Sequence, residues 1–144
     1  MGVAIFVLII ALVIAVARDP GPPPDDVAVA YERAWDGLDF DAVWSLSGDE
    51  LRDGMARKAF IEAKRAAYVG QADLGGLAAS VSVEHLEIRD QVAVVHTVVA
   101  LRHGGTARNE LALEQRAGRW VVVSYRLLGS DASPRRSRSS QRSH

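Results

Sequence analysis

Three short breaks in the second half of the sequence limit its fold more than any other feature. Arg89-Asp90-Gln91, Gly104-Gly105 and Ala117-Gly118 separate four runs rich in β-branched and apolar residues, Val81 to Ile88, Val92 to Arg102, Ala107 to Arg116 and Arg119 to Leu128. Connections this short cannot carry a crossover to a parallel neighbour. Successive strands must therefore turn back on one another as an antiparallel meander.

Tight closure of the last two turns places Arg102 opposite Ala107 and Arg116 opposite Arg119, which sets the register of three strands. One face of the sheet then carries Val94, His96, Val98, Leu111, Leu113, Trp120, Val122 and Ser124, and is the expected core. The other carries Val95, Thr97, Val99, Glu110, Glu114, Val121, Val123 and Tyr125. That outer face is too apolar to be left wholly to water, which predicts a cover, either a second copy of the chain (a homodimer) or a protein partner.

Helical periodicity precedes the strands. Asp25 or Asp26 is placed to cap a helix in which Val27, Ala30, Tyr31, Ala34 and Leu38 recur at i, i+3, i+4 spacing, with Gly37 near its end. Asp39 is placed to cap a short second helix bearing Phe40, Val43, Trp44 and Leu46. A third follows Asp53-Gly54, with Met55, Ala59, Phe60, Ala63, Ala67 and Tyr68 on its apolar side and Arg57, Lys58, Glu62 and Arg65 towards water. The glycines between Gly70 and Gly76 then break the pattern. Helices first and sheet second predict an α+β domain rather than a parallel α/β one.

Ahead of all this, Val3 to Ala17 contains no polar or charged residue, and with Met1 and Gly2 the apolar run reaches seventeen. A spanning helix needs roughly 17 to 25 residues, and a buried core helix would show a polar stripe, so a single transmembrane anchor is expected. Ala15-Val16-Ala17 has the small-x-small form of a signal-peptidase site, but no basic residue precedes the run, which favours an uncleaved anchor. Phe6 stands where a myristoylation motif needs Ser or Thr. Four of the nine residues from Arg18 to Asp26 are proline, which makes an extended spacer. The expected organisation is residues 1–17 as anchor or signal segment, 18–25 as spacer, 26–130 as the domain and 131–144 as a basic, disordered tail. Arg18 argues for a cytoplasmic domain, but long domains translocate largely regardless of flanking charge. The domain is expected on the outer side of the membrane.

Composition removes several functions. From Asp25 to Ser130 there are 16 acidic and 12 basic residues, so the domain lacks the basic stripe that nucleic-acid binding needs. No cysteine occurs, which excludes disulfides and thiolate metal sites. No His, Asp or Glu pair has metal-ligand spacing, and Gly75-Gly76 lacks the rest of a phosphate loop. No metal or other cofactor is expected.

The AYERAWDGLDFDAVWSLS stretch, the later RKAFIEAKRAAY helix and the closing GRWVVVSYRL strand together resemble the NTF2-like, cone-shaped α+β superfamily over roughly Asp26 to Leu128. The resemblance implies three helices folded over a curved four-stranded sheet, leaving a cavity. Members use that cavity for isomerase, dehydratase or cyclase chemistry, or for binding and dimerisation, so the likeness marks a fold more than an activity. Anchored bacterial members are commonly accessory proteins.

Enzymes of that superfamily need a carboxylate or histidine inside the cone and a second polarising group. The register above offers His96 and Ser124 from the sheet, with Tyr31, Trp35, Trp44 and Tyr68 from the helices, and no Asp or Glu from the three registered strands. His85 and Glu87 share a face of the first strand and read as a solvated pair. With His96 alone as a candidate, catalysis is not the expected role. The expectation is a membrane-tethered accessory domain that binds a partner or itself through its outer sheet face; the alternative is small-molecule binding or isomerase-like or dehydratase-like chemistry around His96.

Overall fold

The computed structural model describes residues 21–131. The anchor expected at residues 1–17 and most of the basic tail lie outside them. Among the described residues no helix is long and apolar enough to cross a membrane.

Helix α1 runs Pro24–Asp36. Pro24 takes the first helical position, where its missing N–H and fixed φ cost nothing. Asp25 and Asp26 therefore do not cap the helix as expected; they lie in its first turn, facing the positive end of the helix dipole. The inward stripe is Val27, Ala28, Tyr31, Glu32 and Ala34. Helix α2, Phe40–Leu46, begins where the sequence indicates: the Asp39 carboxylate accepts the Ala42 N–H at 3.1 Å. Ser47 then forms a parallel bridge to Val122, and the Gly48 N–H donates to the Val122 carbonyl at 2.7 Å.

Helix α3, Arg57–Ala67, packs against α2 rather than the sheet. It needs only a narrow stripe for this. Phe60 is fully buried and Ile61, Lys64 and Tyr68 are half-buried, while Met55, Ala59, Ala63 and Ala67, expected on the apolar side, are exposed.

Strands β1 (Ala78–Arg89), β2 (Val92–Leu101), β3 (Thr106–Arg116) and β4 (Arg119–Ser130) form one antiparallel sheet in sequence order. The β3–β4 turn is as expected, with Arg116 opposite Arg119 and both Ala117 and Gly118 at positive φ. The β2–β3 turn is not. The Leu101 N–H donates to the Gly105 carbonyl, and Gly104 and Gly105 both have φ of 92°. The connection thus takes four residues, Arg102 to Gly105, and Val99 rather than Arg102 faces Ala107.

A slip of three residues is odd, so it turns every side chain of β2 to the other face. Ala93, Val95, Thr97 and Val99 point into the core, and Val94, His96 and Val98 point out. Two bulges complete the correction. Leu113 pairs with Val122 as expected, but Ala112 pairs with Ser124 and Leu111 with Tyr125, so Val123 is the extra residue. From there β4 is inverted: Tyr125 faces the core and Ser124 faces out. Leu127 falls opposite Asn109 in this register, and a second bulge at Leu128 then sets Gly129 opposite Arg108. Val95 and Val99, two of the residues that made the outer face look apolar, are core residues.

The core joins Val27, Ala28, Tyr31 and Ala34 of α1, Val43, and Phe60 to Ala93, Val95, Leu111, Leu113 and Val122. Trp35, Trp44 and Trp120 pack around it. Helix α1 contacts strands β1, β2 and β4, which makes it the lid of the concave face.

Candidate functional site

The concave face holds a buried polar group that the sequence pattern did not single out. Glu32 is 6% exposed, and three neutral side chains donate to its carboxylate. The Thr97 hydroxyl reaches Oε1 at 2.6 Å, the Asn109 amide reaches Oε1 at 2.9 Å, and the Tyr125 hydroxyl reaches Oε2 at 3.2 Å. The donors come from β2, β3 and β4 and the acceptor from α1, so the cluster ties the lid helix to three strands. No ion pair to Glu32 occurs among the described residues.

Removing a carboxylate from water is costly unless its lone pairs are met, and three donors meet three of about four acceptor positions. The phenols answer this environment. Burial raises the Tyr125 pKa first, and the charge of Glu32 and the hydrogen bond to it raise it further. Tyr31 is raised chiefly by burial. Both phenols stay protonated, and Tyr125 serves as a fixed donor.

Two clefts open beside this cluster and meet at Trp35 and Tyr125. One, of about 360 Å³, lies over Glu32 and Asn109, with Asp36 at its wall and leucines 74, 77, 101 and 127 around it. The other, of about 520 Å³, is lined by Tyr31, Trp35, Tyr68 and Tyr125 together with Glu50, Leu51, Asp53 and Lys64. The rings form a chain: Tyr31 lies 5.8 Å from Tyr125 and 6.4 Å from Trp35, and Trp35 lies 6.4 Å from Tyr68. Three of the aromatic residues expected at a pocket, Tyr31, Trp35 and Tyr68, are thus brought together.

Trp44 lies elsewhere. Its ring is covered by the Arg52 guanidinium 3.7 Å away, and it lines neither cleft. His96 and Ser124 are on the outer face, contrary to expectation. The His96 Nε2 lies 3.2 Å from Glu110 Oε2, Arg126 donates to Glu110 Oε1 at 2.7 Å, and the His85 ring is 5.3 Å from that of His96. Among the described residues no three His, Asp or Glu side chains converge as metal ligands.

Glu32 was legible in part. It stands four residues after Ala28 and three before Trp35, within the inward stripe of α1, where a carboxylate is rare without a partner. Its partners were not legible, because Thr97 and Tyr125 reach the concave face only through the β2–β3 slip and the Val123 bulge.

No protein-family model matches the sequence, and no curated protein matches it. Solved structures do. A Campylobacter jejuni protein described as a candidate NTF2-like transpeptidase aligns with TM-score 0.55 at 19% identity, over 70% of this chain and 97% of the other. A SEC-C motif-containing protein of Rhodopseudomonas palustris aligns with TM-score 0.52 at 16% identity, over 74% of this chain and 79% of the other. The likeness to the first establishes an NTF2-like fold: three helices on a four-stranded antiparallel sheet.

Proposed function

We propose that this NTF2-like domain is a binding module tethered to a membrane by the Val3 to Ala17 run, and that it holds a small ligand at the mouth of the cone without transforming it. The observation that supports binding is the meeting of two clefts at Trp35 and Tyr125, above a polar floor of Glu32 and Asn109. What argues against proton-transfer chemistry is the state of Glu32. A general base must offer an accessible lone pair to the substrate, whereas this carboxylate is buried and three of its about four acceptor positions are taken by protein donors.

The three tryptophans make the proposal testable. Full-length chain carrying fluorotryptophan, in lipid nanodiscs, gives one signal each for Trp35, Trp44 and Trp120. A fragment library should yield binders that shift the Trp35 signal and leave Trp44 in place. A library whose binders shift Trp44 or none of the three would sink the reading. A C-terminal alkaline phosphatase fusion tests the tether and its topology; activity in the membrane fraction supports an exported, anchored domain, and a soluble fusion refutes the anchor.

Self-association is a second reading, favoured by one feature. Strand β1 is a sheet edge, and Val83, Leu86 and Ile88, which face the concave side, are 36%, 38% and 50% exposed. Such an edge is open to pairing with another chain. Light scattering of the nanodisc-free domain in mild detergent should give twice the protomer mass; a strict monomer at micromolar concentration would remove it.

A further inference from the structure

The 360 Å³ cleft over Glu32 has an asymmetry that points to its ligand. Two carboxylates, Glu32 and Asp36, lie in its wall, and among the described residues no lysine, arginine or histidine does. Asp36 is partly engaged, accepting the Ala78 N–H at 2.9 Å. Glu32 is met by three neutral donors, which bring no positive charge to it.

A second observation is independent of charge. Asn109 is 2% exposed and belongs to the cleft wall, yet its Oδ1 accepts no hydrogen bond from any of the described residues. The orientation of that amide is fixed, since a carboxylate can only accept and the Asn109 Nδ2 must face Glu32. The oxygen is thereby left as a buried acceptor without a donor, a state that costs free energy in a folded protein. Its cross-strand neighbour Leu127 is 59% exposed and has room to swing aside for an incoming group.

We propose that this cleft binds an organic ammonium ion with an apolar body, the N–H groups donating to Asn109 Oδ1 beside the charge of Glu32 and the body lying on Trp35, Leu74, Leu77 and Leu127. The volume suits a small ligand of this kind, and the faces of Trp35 and Tyr125 add cation–π attraction at the point where the charge enters. The inference rests on the binding reading above and gives it a chemical class.

The test uses three probes of one shape: phenylethylammonium, phenylethanol and phenylpropanoate. Each is titrated into the full-length fluorotryptophan chain in phosphatidylcholine nanodiscs, with the Trp35 signal as readout. The ammonium should bind at least tenfold more tightly than the alcohol, and the carboxylate not measurably. Glu32→Gln should bring ammonium and alcohol to equal affinity. Because that variant removes charge from a buried cluster and its fold is at risk, Ala107→Arg provides a second arm. It places a guanidinium at a half-buried cleft wall without touching the cluster, and should abolish ammonium binding with the melting temperature retained.

Equal affinity for the ammonium and the alcohol in the unaltered chain overturns the cationic ligand and leaves the binding reading standing. Ammonium binding that survives Ala107→Arg overturns the location. Failure of all three probes to shift Trp35 overturns the ammonium class, while binders from the fragment screen would still uphold the module itself.

Discussion

The same three strands carry two polar clusters back to back. On the concave face Thr97, Asn109 and Tyr125 gather around Glu32; one residue along each strand, on the convex face, His96, Glu110 and Arg126 form the other. Each contains one carboxylate held from neighbouring elements. They differ in what surrounds them. Glu32 is buried and has neutral donors, whereas the side chain of Glu110 is 29% exposed and has a guanidinium and an imidazole. The difference teaches that contact type is a poor guide to energetic worth. The ion pair on the wet face exchanges water for a screened charge and is worth little, while the neutral hydrogen bonds on the dry face are all that stands between a carboxylate and a large desolvation cost.

The comparison breaks most directly by truncating both carboxylates. Glu32→Ala leaves Thr97 and Asn109 as buried donors without an acceptor and should lower the unfolding free energy by about 3 kcal/mol. Glu110→Ala should cost no more than about 0.5 kcal/mol. Urea denaturation of the two variants measures both, and equal losses would dissolve the distinction.

A smaller contrast is expected one residue along β4. Tyr125→Phe removes the 3.2 Å bond to Glu32 and should cost about 1 kcal/mol, against about 0.3 kcal/mol for Arg126→Met on the opposite face.

Alkaline pH sharpens the same point. The Tyr125 and Tyr31 pKa values are raised in the fold, mainly by burial; in the unfolded chain they return to about 10. Above that value the unfolded chain releases phenolic protons that the folded one keeps. Stability is therefore full below about pH 10 and falls as the pH rises further. The urea midpoint should drop between pH 9 and pH 11 by the assay's own scale, and less steeply in Tyr125→Phe. A midpoint flat across that range, at about one pH unit either side of the free phenol value, would show that the phenols are not held neutral.

The smallest effect is ionic. Raising NaCl to about 0.5 M shortens the screening length well below its low-salt value, so it should erase whatever Glu110→Ala costs and leave the Glu32→Ala loss unchanged. Repeating both denaturations in salt checks it.

Local chemistry explains which parts of the fold could be read directly. The Asp39 cap, the Ala117-Gly118 turn with Arg116 opposite Arg119, and the helices-then-meander order all depend on a few adjacent residues. The inward stripe of α3 is narrower than its periodicity suggests, because periodicity reports apolar positions and cannot report that the helix rests on another helix along one narrow line. The position of the site depends on a related limit. A two-residue β2–β3 turn would put His96 on the concave face, but Gly104-Gly105 supports a longer loop equally well.

By itself the sequence determined which segments become strands and helices, and that they assemble as an α+β domain with an antiparallel meander, because propensity, capping and turn chemistry act over neighbours. It also determined the chemistry of the Val3 to Ala17 run. Only the tertiary structure decided which side chains face inward on β2 and the second half of β4. Those choices turn on the parity of a loop and on one extra residue at Val123, and the packing of α1 over β1, β2 and β4 selects among them. Glu32 became the centre of the concave face through that packing, and His96 became a surface residue.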